Sequence, residues 1–106
     1  VDSNFAPAAI NEAYLASLNH PLVVSELAKF NIELNISPQI LKGSGLKQLH
    51  QEIKTLWQKC LSKATSLDAS LAMIGILPTV RNEELTIANL SYMNRYRALR
   101  TLTKLP

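Results

Sequence analysis

The sequence is poor in the residues that mark several classes of protein. Its 106 residues include one cysteine and three glycines, and no apolar run reaches the ~18 residues of a membrane span. Because Cys60 is its single cysteine, the chain cannot form an internal disulfide. Such sparse use of cysteine is typical of proteins of a reducing compartment. Residues 43–45, "GSG", lack the lysine and the length of a phosphate-binding loop and predict a turn. The opening stretch has no signal-peptide pattern, so we expect a cytoplasmic location.

Charge is also sparse. Eleven Lys and Arg against eight Asp and Glu give a net charge of +3, which indicates a nucleic-acid partner only if the charges cluster. One cluster follows Glu84, the last acid, and consists of Arg95, Arg97, Arg100 and Lys104. No second basic face accompanies it, so we expect neither a nucleic-acid nor a membrane partner. The 47% hydrophobic composition predicts a folded chain, either one domain over residues 1–106 or a fragment of a larger domain.

Apolar periodicity predicts a helix and a strand in the first part of the chain. A short helix follows Pro7, a residue that a first helical turn tolerates, and ends before Pro21. Residues 29–37 alternate strictly and predict a strand with a core face and a polar face. The apolar side chains are Phe30, Ile32, Leu34 and Ile36, and the polar ones are Asn31, Glu33 and Asn35.

The middle and the end of the chain show different patterns. Residues 46–64 have the apolar spacing of an amphipathic helix that Ser44 can cap, and we expect its apolar stripe to pack on the strand. Residues 68–77, "DASLAMIGIL", form an apolar run of strand length that predicts a buried central strand. Residues 85–102 are compatible with a helix. The combination predicts an α+β fold.

Two carboxylates are candidate metal ligands. Glu26 lies just before the predicted strand and Glu33 lies on its polar face, flanked by Asn31. Magnesium prefers oxygen ligands of this kind. A solvated strand face explains the same pattern. His20 and His50 have no partner at ligand spacing, so the sequence does not indicate a zinc site.

Two arginines, Arg95 and Arg97, flank Tyr96 near the end of the chain. A guanidinium binds carboxylates and phosphates through two points, as a lysine cannot. An ordinary basic helix end is the alternative, since cations are favoured near helix C-termini. Cys60 falls on the apolar stripe of the long helix, which favours a core residue over a nucleophile.

The order of three segments carries a resemblance. "SELAKFNIELNISPQIL", then a long amphipathic helix, "AMIGILPTVRNEELTIANL" and "RYRAL" resemble the glutamate-cysteine ligase-like carboxylate-amine ligases over residues 22–99. The resemblance implies an antiparallel sheet with helices packed on one face, as in glutamine synthetase and glutamate-cysteine ligase. In that family the polar face of the sheet holds ATP, magnesium and the acidic substrate, and an acyl phosphate reacts with an amine to form an amide.

The resemblance also implies roles for individual residues. Glu33 and Glu26 match the carboxylates that hold magnesium, and no covalent catalytic residue is required. The residues expected to bind substrate or phosphate, or to lie at the rim or floor of that site, are Asn31, Thr79, Arg81, Arg95, Tyr96 and Arg97.

The chain departs from the family in ways that bear on activity. The family's early carboxylate-bearing strand and the segments that follow the arginine-tyrosine helix are not in the sequence. We therefore expect the chain to be inactive alone, with the missing segments of its parent and small-molecule acid and amine substrates as partners. The alternative is a stand-alone, non-catalytic domain that binds a protein partner or a small anion. The identity of the acid and the amine, and a possible homo-oligomer, stay open.

Overall fold

The computed structural model describes residues 1–102, without the side chain of Arg100. This part of the chain is a small α+β fold with three α-helices and a two-stranded antiparallel sheet. Two single 3-10 turns lie before the last helix, at Asn82–Glu84 and Ile87–Asn89. The helices are α1 (Asn11–Leu18), α2 (Gly45–Thr65) and α3 (Asn94–Leu102), and the strands are β1 (Val23–Ser25) and β2 (Ile32–Leu34).

Helix α2 is the longest element of the fold, and the sequence prediction for it is confirmed. Its 21 residues extend the predicted helix by one residue at each end. Ser44 is the N-cap residue, as expected, but its side chain accepts no capping hydrogen bond from the helix backbone. Its hydroxyl instead accepts a hydrogen bond from the Gln48 side chain at 3.3 Å.

The core lies where α1, β1 and α2 meet. Its buried members are Tyr14, Val23, Leu56, Cys60 and Ala64. A side chain such as Leu56 contributes about 1.5–3 kcal/mol when it leaves water. The Tyr14 hydroxyl donates a hydrogen bond to the Cys60 carbonyl at 2.8 Å and so joins α1 to α2. Burial raises the pKa of the Cys60 thiol, in keeping with a core residue and not a nucleophile.

The sheet is shorter than predicted. Of residues 29–37, only three form β2, because its partner β1 is itself three residues long. Val23 pairs with Leu34, Val24 with Glu33 and Ser25 with Ile32. Ile32 and Leu34 pack against the core, as the alternation predicts.

Residues 68–77 do not form the central strand that the sequence predicts. The segment has no regular secondary structure and leaves Met73, Ile74 and Ile76 exposed. An apolar run becomes a strand only when a neighbouring strand satisfies its backbone N–H and C=O groups. In the described chain, β1 and β2 pair only with each other in the sheet.

Both predicted terminal helices begin later than expected. Helix α1 starts at Asn11 and leaves Pro7 outside its first turn, because residue 10 holds the N-cap position. The predicted helix over residues 85–102 is helical only from Asn94. Between the 3-10 turns and α3, the chain pairs with the segment after β1 through an antiparallel bridge between Ala28 and Leu90, so this stretch is extended.

No helix within residues 1–102 has the length and apolar character needed to cross a membrane.

Candidate functional site

The start of α3 docks on the end of β1, and this contact forms the candidate site. The Arg95 guanidinium donates through Nη2 to the Ser25 carbonyl at 3.3 Å and to the Tyr96 hydroxyl. Its Cζ lies 4.6 Å from the centroid of the Tyr96 ring, a cation–π contact. Tyr96 is buried, and its hydroxyl lies 3.5 Å from the same Ser25 carbonyl. The predicted arginine-tyrosine pair is therefore a packed unit that contacts the Ser25 carbonyl at the end of β1.

The two arginines that flank Tyr96 have different surroundings. Arg95 reaches β1, whereas Arg97 lines a separate groove beside Lys29. Residues two apart on a helix lie on different faces, which accounts for the separation. The role of both arginines in binding substrate or phosphate stays a prediction. Lys104, the last member of the basic cluster, lies outside the described residues.

A buried polar contact fixes this region, and sequence reasoning missed it. Asn11 is only 6% exposed, and its side-chain Nδ2 donates to the Ser91 hydroxyl at 2.8 Å. The same nitrogen lies within hydrogen-bond distance of the carbonyls of Ala28 and Asn31, at 3.3 and 3.4 Å. The Ser91 hydroxyl donates to the Glu26 carbonyl. Asn11 and Ser91 thus hold the segment that carries Glu26 and Asn31. The only sequence signal was an Asn at the start of a short helix.

The two predicted magnesium ligands occupy different settings. Glu33 is central in β2, opposite Val24, and is partly exposed. Glu26 follows β1, and its carboxylate accepts a hydrogen bond from the Leu27 N–H at 2.8 Å. Within residues 1–102, no group of three or more His, Cys, Asp or Glu side chains could hold a metal ion. Magnesium is usually bound through one or two carboxylates together with waters and substrate phosphates, so a role of Glu26 and Glu33 as its ligands stays a prediction.

The remaining predicted residues are dispersed. Asn31 is exposed in the turn before β2. Thr79 donates its hydroxyl hydrogen to the Phe5 carbonyl, far along the chain. Arg81 precedes the first 3-10 turn, where its backbone N–H donates to the Glu84 carboxylate at 2.7 Å. Thr79 and Arg81 thus make contacts within the 79–84 region and with the N-terminal segment, and the contacts described for Arg95 and Tyr96 do not include them.

A large open cavity lies between β2 and residues 70–80. Its volume is about 790 Å³, and Phe30, Ile32, Leu34 and Trp57 form one side. No lysine or arginine side chain is among its lining residues, whose charged groups are Glu26 and the N-terminal residue Val1. Phosphate groups are bound by arginine, lysine or rows of backbone N–H groups. The cavity is therefore suited to apolar side chains and not to the triphosphate of ATP.

Comparison with known proteins adds no relative. No protein-family model, curated protein or solved structure matches the chain.

Proposed function

We propose that these residues are part of a carboxylate-amine ligase of the glutamate-cysteine ligase-like type, and that further segments of the same protein complete the fold. The observation that carries the proposal is the apolar surface of residues 73–87. The exposed large side chains there are Met73, Ile74, Ile76, Leu85 and Ile87, with Ile76 at 88% exposure. Met73, Ile74, Ile76 and Leu85 line one open cavity, and exposed apolar surface that is grouped in this way is typical of an interface.

The sheet supports the same proposal. Strand β1 pairs only with β2 in the described sheet, so each strand has an outer edge without a strand neighbour. A two-stranded sheet is marginal by itself, and an open edge favours pairing with a further strand. We therefore take further strands of the parent ligase as the occupant of this surface. In that setting residues 68–77 would gain the backbone partner that a central strand requires.

The segment order and Arg95 relate the chain to ligase chemistry. The order of segments resembles that family, and Arg95 contacts Tyr96 and the carbonyl of Ser25, the residue that precedes Glu26 in the chain. Its hydrogen bonds to described residues use Nη2, which leaves the Nε and Nη1 donors for a substrate carboxylate or phosphate. In the proposed parent enzyme, ATP would supply the phosphoryl group that activates the acid. Holding magnesium requires ligands beyond Glu26 and Glu33.

The size of the native polypeptide is the first test. An antibody raised against this chain should detect, in the source cells, a protein several times longer than 106 residues. Amide hydrogen exchange then compares the two forms. Residues 73–87 should exchange at least tenfold more slowly in the long protein than in the isolated chain. A native product of 106 residues, or equal exchange in both forms, would overturn the proposal.

Activity of the long protein gives a second test. With ATP, an acid and an amine, Arg95→Gln should lower kcat/KM for amide formation at least 100-fold, because the anion loses a guanidinium contact. Glu33→Gln should abolish turnover and leave folding intact. Lys47→Gln, a change at an exposed site on α2, is the matched control and should keep the wild-type rate. Wild-type turnover by the Arg95 or Glu33 variant would refute the role of that residue.

A second candidate is a stand-alone domain that binds a small anion and catalyses nothing. The closed core around Cys60 favours it, since that residue is fully buried within the chain's own helices. Cooperative thermal unfolding of the isolated chain, followed by Trp57 fluorescence, would support this candidate. A cytoplasmic location stays a prediction under both.

A further inference from the structure

A groove of about 650 Å³ separates the segment after β1 from helix α3. Its polar and aromatic lining consists of Lys29, Ser91, Tyr92, Tyr96, Arg97 and Thr101. The ligase resemblance does not assign Lys29 or Tyr92, and Arg95 does not line this groove. The groove shares Tyr96 with the arginine-tyrosine contact on β1 and differs from that contact in its two cations, Lys29 and Arg97.

Backbone hydrogen bonds set the distance between the two walls. The Lys29 N–H donates to the Asn89 carbonyl at 2.7 Å, and the Ser91 N–H donates to the Leu27 carbonyl at 2.8 Å. These bonds flank the bridge between Ala28 and Leu90. Lys29 and Tyr92 are consequently brought together, with the lysine Nζ 3.9 Å from the centroid of the ring. The ring orients the ammonium group through a cation–π contact.

The charges of the groove are unbalanced. Lys29 and Arg97 both line it, and no Asp or Glu does. No ion pair links either side chain to a carboxylate within residues 1–102. Two cations on one concave surface repel each other, and an anion between them removes that repulsion. Arg97 adds a planar set of donors, and the Tyr92 phenol adds a hydroxyl group.

We propose that this groove binds the phosphate group of a small molecule. A phosphate dianion matches two cations in charge and offers more acceptor oxygens than a carboxylate. The groove volume exceeds that of the phosphate alone, and the Tyr92 ring forms part of the wall against which an organic part can pack. The inference goes beyond the proposed ligase and does not depend on it, because it uses only residues of this chain and no chemical step.

The test uses the whole 106-residue chain and inorganic phosphate as the first probe. At constant ionic strength, set with chloride, ¹H–¹⁵N NMR should show saturable shifts at the amides of Lys29, Tyr92 and Arg97. Lys29→Gln and Arg97→Gln should each weaken binding at least tenfold. Lys47→Gln is the matched loss of one exposed positive charge and should leave the affinity unchanged.

Further titrations identify the class of molecule that carries the phosphate, and further variants control for folding. A ribonucleoside monophosphate and a sugar phosphate are titrated in the same way, and the one that binds more tightly than inorganic phosphate names the ligand class. Lys29→Arg keeps the charge and should retain binding, and circular dichroism verifies that each variant is folded. Shifts that do not saturate, or an equal loss of affinity in Lys47→Gln, would overturn the proposal in favour of general charge attraction.

Discussion

Asn11 gives the sharpest test of how the chain holds its site together. Its Nδ2 carries two hydrogens and faces three acceptors, with one short contact of 2.8 Å to Ser91 and two longer contacts. The short bond is worth about 1 kcal/mol net, and the hydrogen shared by the two carbonyls is worth about as much again. The loss of these bonds in Asn11→Ala should lower the free energy of unfolding by about 2 kcal/mol. The better helix propensity of alanine should offset about 0.5 kcal/mol of that loss.

A second substitution at the same position separates hydrogen bonding from packing. Asn11→Asp keeps the shape but directs a carboxylate oxygen at the carbonyls of Ala28 and Asn31. An unpaired charge against two acceptors makes this variant less stable than Asn11→Ala by at least about 1 kcal/mol. Asn35→Ala removes an exposed asparagine of the same size, and we expect it to stay within about 0.5 kcal/mol of wild type.

The assay is equilibrium unfolding in urea, followed by Trp57 fluorescence, with the linear extrapolation to water. The three variants should rank, from most to least stable, as Asn35→Ala, Asn11→Ala and Asn11→Asp. If Asn11→Asp were as stable as Asn11→Ala, the three contacts of Nδ2 would not form in solution. Asn11 would then not hold the segment that carries Glu26.

Three further predictions concern single groups. Tyr14→Phe removes the hydrogen bond between α1 and α2 and should lower the free energy of unfolding by about 1 kcal/mol, measured in urea. Gly45→Ala should destabilise the chain although residue 45 lies in a helix, because the new Cβ would lie 1.9 Å from the Ile40 carbonyl oxygen. Gly75→Ala is the control, since a Cβ there has no neighbour within 4 Å. Equal melting temperatures of the two variants would contradict the clash. The hydrogen bond from the Ser37 backbone lowers the pKa of Glu52. The ionised Glu52 side chain therefore stabilises the folded chain above its ordinary pKa of 4.5, and this stabilisation is lost as pH falls through the lower pKa of the folded state. Glu52→Gln should therefore flatten the acid side of the curve of melting temperature against pH, and an unchanged curve would show that this bond does not form.

A sequence prediction succeeded where its signal was local, that is, where the element needs no partner from a distant part of the chain. Helix α2 was predicted almost to the residue because its 21 residues repeat one pattern and need no distant partner to be recognised. The strand at residues 29–37 and the run at 68–77 needed partners that the alternation cannot reveal. In the structure, only three residues of the first stretch form β2, and the second stretch lies outside the sheet.

The candidate site shows the same division. Arg95 and Tyr96 could be selected from residue type and neighbourhood, but their docking on Ser25 depends on a fold that brings together residues about 70 apart. Sequence reasoning did not identify Lys29 as a candidate anion ligand, because Arg97, the other cation that lines the groove, lies on a distant segment of the chain. Whether Glu26 and Glu33 hold magnesium in a longer protein stays a prediction.

The contact between Asn11 and Ser91 also has a consequence for the order in which the molecule assembles. The two residues are 80 positions apart, and closing so long a loop costs on the order of 4 kcal/mol of chain entropy. We therefore expect the segment from Ser91 onward to dock after α1, β1 and α2 have formed, and to be the first to detach. Lys29 belongs to the early part and Arg97 to the late part, so an anion between them binds only molecules whose last segment is docked. Its apparent affinity equals its intrinsic affinity multiplied by that docked fraction.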